Sequence, residues 1–175
     1  MRPLPPEHAI RMTITVRRAT PDDAQTIARM VAALGVVTQD PLIDISAADV
    51  LRDGFGPEPW FLGFIAERAG APIGLAVAQR GYATDLGSRG LYITELFVEA
   101  EARGRGVGRA LMRAVAGQAR AFGGEWVAWD VGHENAPAKR FYEKLGARYR
   151  DEVVMMVLQG DALEALTNGP MRAGS

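Results

Sequence analysis

The chain has 175 residues, of which 48% are hydrophobic and 23% charged, and its net charge is -1. This length fits one domain with a real core, and the composition excludes a disordered chain. The near-neutral charge provides no field that would recruit nucleic acid or an acidic membrane. The absence of cysteine excludes disulfides, thiolate metal sites and an acyl-cysteine intermediate.

Residues 1–12 contain no apolar run of the kind that a signal peptide requires, and we interpret them as a loose leader. No stretch approaches the ~18 apolar residues of a membrane-spanning helix. We therefore expect a cytoplasmic protein with no membrane partner. One domain is predicted to cover residues 13–166, followed by a tail over residues 167–175.

Hydrophobic periodicity and turn signals predict strands and helices along the whole domain. In chain order, the predicted elements are a strand over Thr13–Arg18, a helix from Pro21 to Gly35, an irregular segment over 36–45, a helix from Ser46 to Asp53, strands over Trp60–Glu67 and Pro72–Arg80 joined by a turn at Ala69–Gly70, a polar loop over Tyr82–Gly90, a strand over Leu91–Val98, a helix ending at Phe122, a strand over Trp126–Val131, a helix from Asn135 to Gly146, a closing hairpin of Ala147–Arg150 with Val153–Leu158, and a helix over Asp161–Leu166. This order predicts a mixed α+β fold of the α/β type, with a central mixed sheet and helices on both of its faces. The helix between the Leu91 and Trp126 strands would make those two strands parallel by a right-handed crossover.

The segment 103–109, Arg-Gly-Arg-Gly-Val-Gly-Arg, places three glycines at alternate positions where a helix begins. The N–H groups of a helix's first turn lack intrahelical partners, and the helix dipole is positive there. Arginine adds forked donors that suit phosphate. The segment therefore predicts a phosphate-binding loop, and a turn that only links strand to helix is the alternative.

Spacing separates three known kinds of glycine loop. A dinucleotide-binding fingerprint starting at Gly104 would need a small residue at Arg109, and a Walker loop would need Gly-Lys-Ser/Thr, which is absent. The remaining pattern is Arg-x-x-Gly-x-Gly, formed by Arg103, Gly106 and Gly108. It resembles the pyrophosphate loop of the GCN5-related N-acetyltransferases, the GNAT superfamily, which bind acetyl-coenzyme A.

A second motif follows in the expected order. Residues 135–147, Asn-Ala-Pro-Ala-Lys-Arg-Phe-Tyr-Glu-Lys-Leu-Gly-Ala, resemble the GNAT motif Asn-x-x-Ala-x-x-Phe-Tyr-x-x-x-Gly-Phe and depart from it at Ala147. Together with the strand that precedes the glycine loop, the two motifs give a resemblance that covers residues 13–158. Segments 51–56 and 92–98 look most like the diamine (spermidine/spermine) acetyltransferases and their thialysine-acetylating relatives.

This resemblance implies a single-domain GNAT-like fold whose central twisted sheet is splayed between the fourth and fifth strands. The pantetheine arm of acetyl-coenzyme A would lie in the splay and pair with main-chain groups of the fourth strand, while the pyrophosphate would sit on the glycine loop. The implied cofactor-binding residues are Leu96, Phe97, Val98, Arg103, Gly104, Arg105, Gly106, Val107, Gly108, Arg109, Asn135, Ala138 and Phe141.

Two residues are the catalytic candidates. The departing coenzyme A thiolate needs a proton, and the phenol of Tyr142, with an ordinary pKa near ~10, can supply it at neutral pH. Glu95 is the carboxylate inside the central strand and is the candidate base, acting directly or through water. A strand glutamate can equally point to solvent or pair with arginine.

The acceptor site departs from the diamine subfamily. That subfamily carries a glutamate where this chain has Thr94, with Glu95 one residue along, and a shift of one residue reverses the face of a sheet. Acidic residues expected near Val36–Thr38 are also replaced, which leaves Asp40 and Asp44 as possible substitutes. Thr94 and Asp40 are the candidate acceptor contacts, and we expect a smaller amine than spermine.

These features together predict an N-acetyltransferase that moves acetyl from acetyl-coenzyme A to a primary amine of a small molecule, such as a diamine or amino acid, by direct attack in a ternary complex. A catalytically idle acyl-coenzyme A-binding regulatory module and a protein or peptide N-acetyltransferase are the alternatives. Relatives of the diamine type are commonly homodimers, so a homodimer is expected. His8 and His133 lie in a leader and a loop, so no metal site is expected.

Overall fold

The computed structural model describes residues 13–39, 43–150 and 155–168. Its elements are β1 (Ile14–Arg18), a one-turn 3₁₀ helix (Pro21–Asp23), α1 (Ala24–Thr38), α2 (Ala47–Phe55), β2 (Leu62–Arg68), β3 (Ala71–Ala83), β4 (Ser88–Val98), a second 3₁₀ turn (Ala100–Ala102), α3 (Val107–Ala121), β5 (Trp126–Trp129), α4 (Ala136–Glu143) and α5 (Asp161–Asn168). The chain divides into two compact units, Met1–Glu134 and Asn135–Ser175. The predicted leader, Asp40 and the tail beyond Asn168 lie outside the described residues, and the predicted domain bounds stay a prediction.

The sheet belongs to the first unit. Within the described residues it has five strands in the order β1-β2-β3-β4-β5. The first four strands pair antiparallel, and β5 pairs parallel to β4 after the crossover through α3. The predicted mixed sheet is therefore confirmed.

Helices cover both faces of this sheet. On one face, which we call the α1–α2 face, Ile27 and Met30 of α1 and Val50 of α2 share a buried cluster with Leu75 and Phe97 of the sheet. On the other, the α3 face, α3 contacts all five strands. Each helix buries one apolar stripe, as a helix packed on a sheet must. The two layers make the core of the unit.

Local signals at the first two helices are partly confirmed. Ser46 caps α2, because its hydroxyl accepts the N–H of Asp49 at 3.2 Å, and the Asp49 carboxylate accepts the N–H of Ser46 at 3.0 Å. The predicted end of α1 at Gly35 is wrong. That glycine is buried inside the helix, which continues to Thr38 and ends where Gln39 takes a left-handed backbone (φ 56°).

The predicted polar loop over Tyr82–Gly90 is also wrong. β3 runs to Ala83, β4 begins at Ser88, and the two strands pair up to that point around a turn at 84–87. The side chain that stabilises this end of the hairpin comes from β5. The indole of Trp126 lies over Gly81 and Gly90, and its N–H donates to the Ser88 carbonyl at 3.3 Å. Because that contact comes from 38 residues away, the local composition gave no sign of it.

Gly90→Ala is expected to destabilise the protein, because its Cβ would lie 2.1 Å from Cδ2 of Trp126. Overpacking of this kind costs about 1–3 kcal/mol, which lowers Tm by roughly 3–10 °C in a chain of this size. The matched control is Gly117→Ala on α3, where an added Cβ meets nothing within 4 Å and helix propensity favours alanine by about 0.5–1 kcal/mol. Calorimetry should give shifts of opposite sign, and a Gly90→Ala protein as stable as wild type would contradict the packing described.

The predicted closing hairpin is wrong for the residues that the structure describes. Neither Ala147–Arg150 nor Met155–Leu158 forms a strand, and residues 153–154 lie outside the description. The apolar side chains from Met155 to Leu158 are all exposed, so their succession does not mark a buried face. The terminal helix is confirmed as α5.

Candidate active site

The sheet opens between β4 and β5. Their pairing runs from Gly90 and Trp126 to Ile93 and Trp129 and stops there, whereas β4 continues to Val98. Among the described residues, no strand pairs with that edge of β4 beyond Ile93. The predicted splay between the fourth and fifth strands is therefore confirmed, and the backbone of Leu96, Phe97 and Val98 lies along the open edge.

A β-bulge marks the point where the sheet opens. On the β3 side, Val77 pairs with Glu95 and Ala78 pairs with Ile93, so Thr94 is an extra residue without a partner across the ladder. Its hydroxyl donates to the Val77 carbonyl at 3.4 Å. A bulge bends its strand and increases the local twist. The bend at Thr94 accounts for the departure of β4 from β5 immediately after Ile93.

The bulge also decides which way Glu95 faces. Directly opposed residues share a face of the sheet, and Val77, opposite Glu95, belongs to the buried cluster on the α1–α2 face. Glu95 therefore lies on the α1–α2 face, where it is half-buried. Simple alternation does not hold across Thr94, so the argument that a shift of one residue reverses the face does not apply here.

The glycine loop has the backbone that its sequence suggests. Gly104 and Gly106 adopt left-handed conformations, with φ of 70° and 87°, which favour glycine. Gly106 is the N-cap of α3, and its carbonyl accepts the N–H of Ala110 at 3.0 Å. A Cβ at either glycine would meet nothing within 4 Å, so the space before the helix is open.

Residues on either side hold this loop in place. Arg103 donates from Nε to the Val98 carbonyl at 3.0 Å, which ties the loop to the end of β4. Val107 is buried against the α3 face, where a Cβ on Gly74 would lie 3.0 Å from its Cγ1. The exposed part of the loop consists of Arg103, Gly104, Arg105, Gly106 and Arg109, while Gly108 is half-buried. An open turn that ends in the N-terminus of a 15-residue helix suits a pyrophosphate, because N–H dipoles and arginine charges converge there.

The second motif forms α4, in the second unit. Asn135 is its N-cap, and the side-chain Oδ1 accepts the N–H of Ala138 at 3.1 Å. The rings of Phe141 and Tyr142 lie 5.0 Å apart, centroid to centroid. Burial raises the pKa of Tyr142, so its phenol is protonated at neutral pH.

Sequence reasoning missed a polar pair at the opening of the sheet. The phenol of Tyr92 on β4 donates to a carboxylate oxygen of Asp130, which follows β5. Burial, with the hydrogen bond to Asp130 adding to it, raises the pKa of Tyr92 well above its ordinary value. The register of β4 on β5 brings the two side chains together, and no signal within either segment could have shown it.

Thr94 and Asp40 are the candidate acceptor contacts. Thr94 is exposed at the bulge, and Asp40 lies outside the described residues. In the described ranges, no group of three or more His, Cys, Asp or Glu side chains is arranged to hold a metal ion. No helix in the same ranges has both the length and the apolar character needed to cross a membrane.

Residues 37–147 match the acetyltransferase (GNAT) family. The chain belongs to this family. The GNAT superfamily, its fold and an acyl-coenzyme A-dependent N-acetyltransferase, all predicted above, are thereby confirmed. Members of the GNAT family use acetyl-coenzyme A.

Two curated relatives and one solved structure show what this GNAT chain is similar to. It is 30% identical to thialysine N-epsilon-acetyltransferase of Sus scrofa over 145 residues, which are 78% of this chain and 85% of that enzyme. It is 39% identical to L-ornithine N5-acetyltransferase of Arabidopsis thaliana over 85 residues, which are 49% of this chain and 37% of that protein. The aminoglycoside N-acetyltransferase AAC(6')-Iy in complex with CoA superposes with a TM-score of 0.66 at 21% identity, over 83% of this chain and 94% of that one. At that identity the superposition shows the fold alone.

Proposed function

We propose that this protein transfers acetyl from acetyl-coenzyme A to a primary amine of a small molecule, by direct attack in a ternary complex. One observation carries the proposal: the open edge of β4 is followed, after the single 3₁₀ turn over Ala100–Ala102, by the glycine loop at the start of α3. A thioester arm could pair with the edge while its pyrophosphate rests on the loop. Two acetyltransferases of small amines among the relatives support a small-molecule acceptor.

We assign binding roles along that path. Main-chain groups of Leu96–Val98 pair with the pantetheine arm, and one N–H there meets the thioester oxygen, where it would stabilise charge that develops in the transition state. The loop Arg103–Arg109 binds the pyrophosphate. Asn135, Ala138 and Phe141 of α4 are the further proposed contacts of the coenzyme. Because Oδ1 of Asn135 caps its own helix, the amide N–H₂ is the group that Asn135 can offer a ligand.

Two proton transfers complete the proposed reaction. The amine nitrogen attacks the thioester carbon, a C–N bond forms, and the C–S bond breaks. Tyr142 donates its phenolic proton to the departing sulfur, and Glu95 accepts the proton that the amine loses, directly or through water. A homodimer and a cytoplasmic location remain predictions.

Acetyl-coenzyme A is expected to raise Tm more than NAD or ATP at equal concentration. A ligand that binds the native state alone stabilises it by about 2.7 kcal/mol at 100 times its Kd, which corresponds to roughly 5–10 °C here. Scanning calorimetry gives the shifts, and thiol release from acetyl-coenzyme A with a panel of amines gives the activity.

The two measurements have separate contradicting outcomes. Equal shifts from all three ligands would show that the loop is a general anion site. A specific shift without thiol release for any amine or peptide acceptor would show an idle binding module. Thiol release with peptide acceptors alone would show that the acceptor is a protein or peptide.

A further inference from the structure

The pair of Tyr92 and Asp130 lies at the apex of the opening between β4 and β5. Trp129, opposite Ile93, is the last residue of β5 in the ladder, and Asp130 follows it directly. If the register continued, Asp130 would face Thr94, the bulged residue at which β4 turns away. The hydrogen bond from Tyr92 is therefore made across the last joined part of the two strands.

Register places this pair on the same face as Glu95. Tyr92 lies opposite Gln79 of β3, two residues from Val77 of the α1–α2 face cluster, so the Tyr92 side chain belongs to that face. On β5, Tyr92 pairs with Ala128, and Asp130 is two residues further along the same face. One face of the apex thus carries a phenol and two carboxylates, while α3 covers the other face.

The Asp130 carboxylate of this pair is held in one orientation by Tyr92. Tyr92 is held neutral, because burial, with the hydrogen bond to Asp130 adding to it, raises its pKa, and it is the hydrogen-bond donor of the pair. Among the described residues, no Lys, Arg or His forms an ion pair with Asp130, which is exposed. The phenol occupies one carboxylate oxygen and limits its rotation. The other oxygen can accept hydrogen bonds from a cation.

We propose that Asp130, oriented by Tyr92, binds a second ammonium group of the acceptor, so that the acceptor is a short diamine or a diamino acid. This inference rests on the proposed function, because acetyl transfer would occur at the same apex. The ammonium at Asp130 is the one that is not acetylated, since a carboxylate that binds the reacting nitrogen as a cation would keep it protonated. Glu95, on the same face, is left to accept the proton of the reacting amine.

Asp130→Asn tests the proposal, because asparagine can still accept the Tyr92 hydrogen bond and changes the charge alone. With 1,4-diaminobutane and ornithine as acceptors, KM should rise about 10- to 100-fold, since a hydrogen bond to a charged group is lost. With n-butylamine, which has no second ammonium, KM should stay within about 2-fold. kcat should change by less than about 3-fold for all three amines.

Tyr92→Phe is expected to raise KM for the two diamines about 3- to 10-fold, because the carboxylate remains but is no longer oriented. In the double variant the two effects should be less than additive, as expected for residues that act through one contact. The matched control is Asp85→Asn in the β3–β4 turn, which removes one exposed negative charge elsewhere and should leave every KM unchanged.

Binding separates this inference from the proposed function. Calorimetric titration of 1,4-diaminobutane in the presence of coenzyme A should show the same 10- to 100-fold weakening in Asp130→Asn, whether or not turnover occurs. Thiol release that fails with every acceptor would overturn the proposed function alone. Equal affinity of wild type and Asp130→Asn for the diamine, an equal change for n-butylamine, or no diamine binding by the wild type would overturn the inference.

Discussion

Tyr142→Phe is expected to lower kcat by about 100-fold, while acetyl-coenzyme A binds within a few-fold of its wild-type affinity. The ring remains and one hydroxyl is lost. General acid assistance contributes about 10²–10⁴-fold, and we expect the lower limit because coenzyme A thiolate is a fair leaving group. That limit corresponds to about 2.7 kcal/mol of barrier height. Steady-state thiol release gives kcat, and titration calorimetry gives the affinity.

The matched control for this variant is Tyr149→Phe. Tyr149 is exposed and donates to Glu143 at 3.0 Å, so the control also removes a phenolic hydroxyl from the second unit. Its kcat should equal that of wild type. Full kcat in Tyr142→Phe would show that water or another group acts as the acid and that Tyr142 only packs against Phe141.

The pH profile tests the same role independently. An acid must be protonated to act, so its contribution disappears as pH rises through its pKa. Burial raises the pKa of Tyr142 above the ordinary 10.0. We therefore expect no decline of the wild-type kcat below about pH 10 from loss of the Tyr142 proton. In that range the pH profiles of wild type and Tyr142→Phe should have the same shape.

Features encoded within a few residues were predictable from the sequence. The cap of α2 at Ser46, the turn at Ala69 and Gly70, and the start of α3 after Gly106 each depend on a local side chain or on a backbone angle that glycine favours. The parallel pairing of β5 with β4 followed from the crossover rule for strands joined by a helix. The glycine loop could be predicted for the same reason, since its motif and its geometry occupy one short segment.

Features that depend on register were not predictable. The alternation of residues along β4 cannot reveal that Thr94 has no partner on β3, yet this bulge decides the face of Glu95. The contacts of Trp126 with Gly90 and of Asp130 with Tyr92 need the pairing of β5 on β4. Each arises from segments far apart in sequence, where local propensity carries no information.

Gly106→Val is expected to weaken acetyl-coenzyme A binding by about 100-fold or more, equivalent to about 2.7 kcal/mol. The side chain would enter the open space in front of α3, where nothing lies within 4 Å of a Cβ, and would keep a phosphate from the N–H groups. Loss of one or more hydrogen bonds to a charged group, at about 1.5–3 kcal/mol each, accounts for that figure. Titration calorimetry measures the affinity, and circular dichroism checks that the variant is folded.

Strain is the competing explanation for such a loss, because valine at the left-handed φ of 87° also destabilises the backbone. Gly87→Val separates the two effects. Gly87 has a φ of 61° and an equally open Cβ position, but it lies in the β3–β4 turn, at the opposite end of β4 from the loop. We expect both variants to lose about 1–2 kcal/mol of stability, and Gly106→Val alone to lose affinity. Equal losses of affinity would assign the effect to strain, and unchanged affinity in Gly106→Val would remove the loop as the pyrophosphate site.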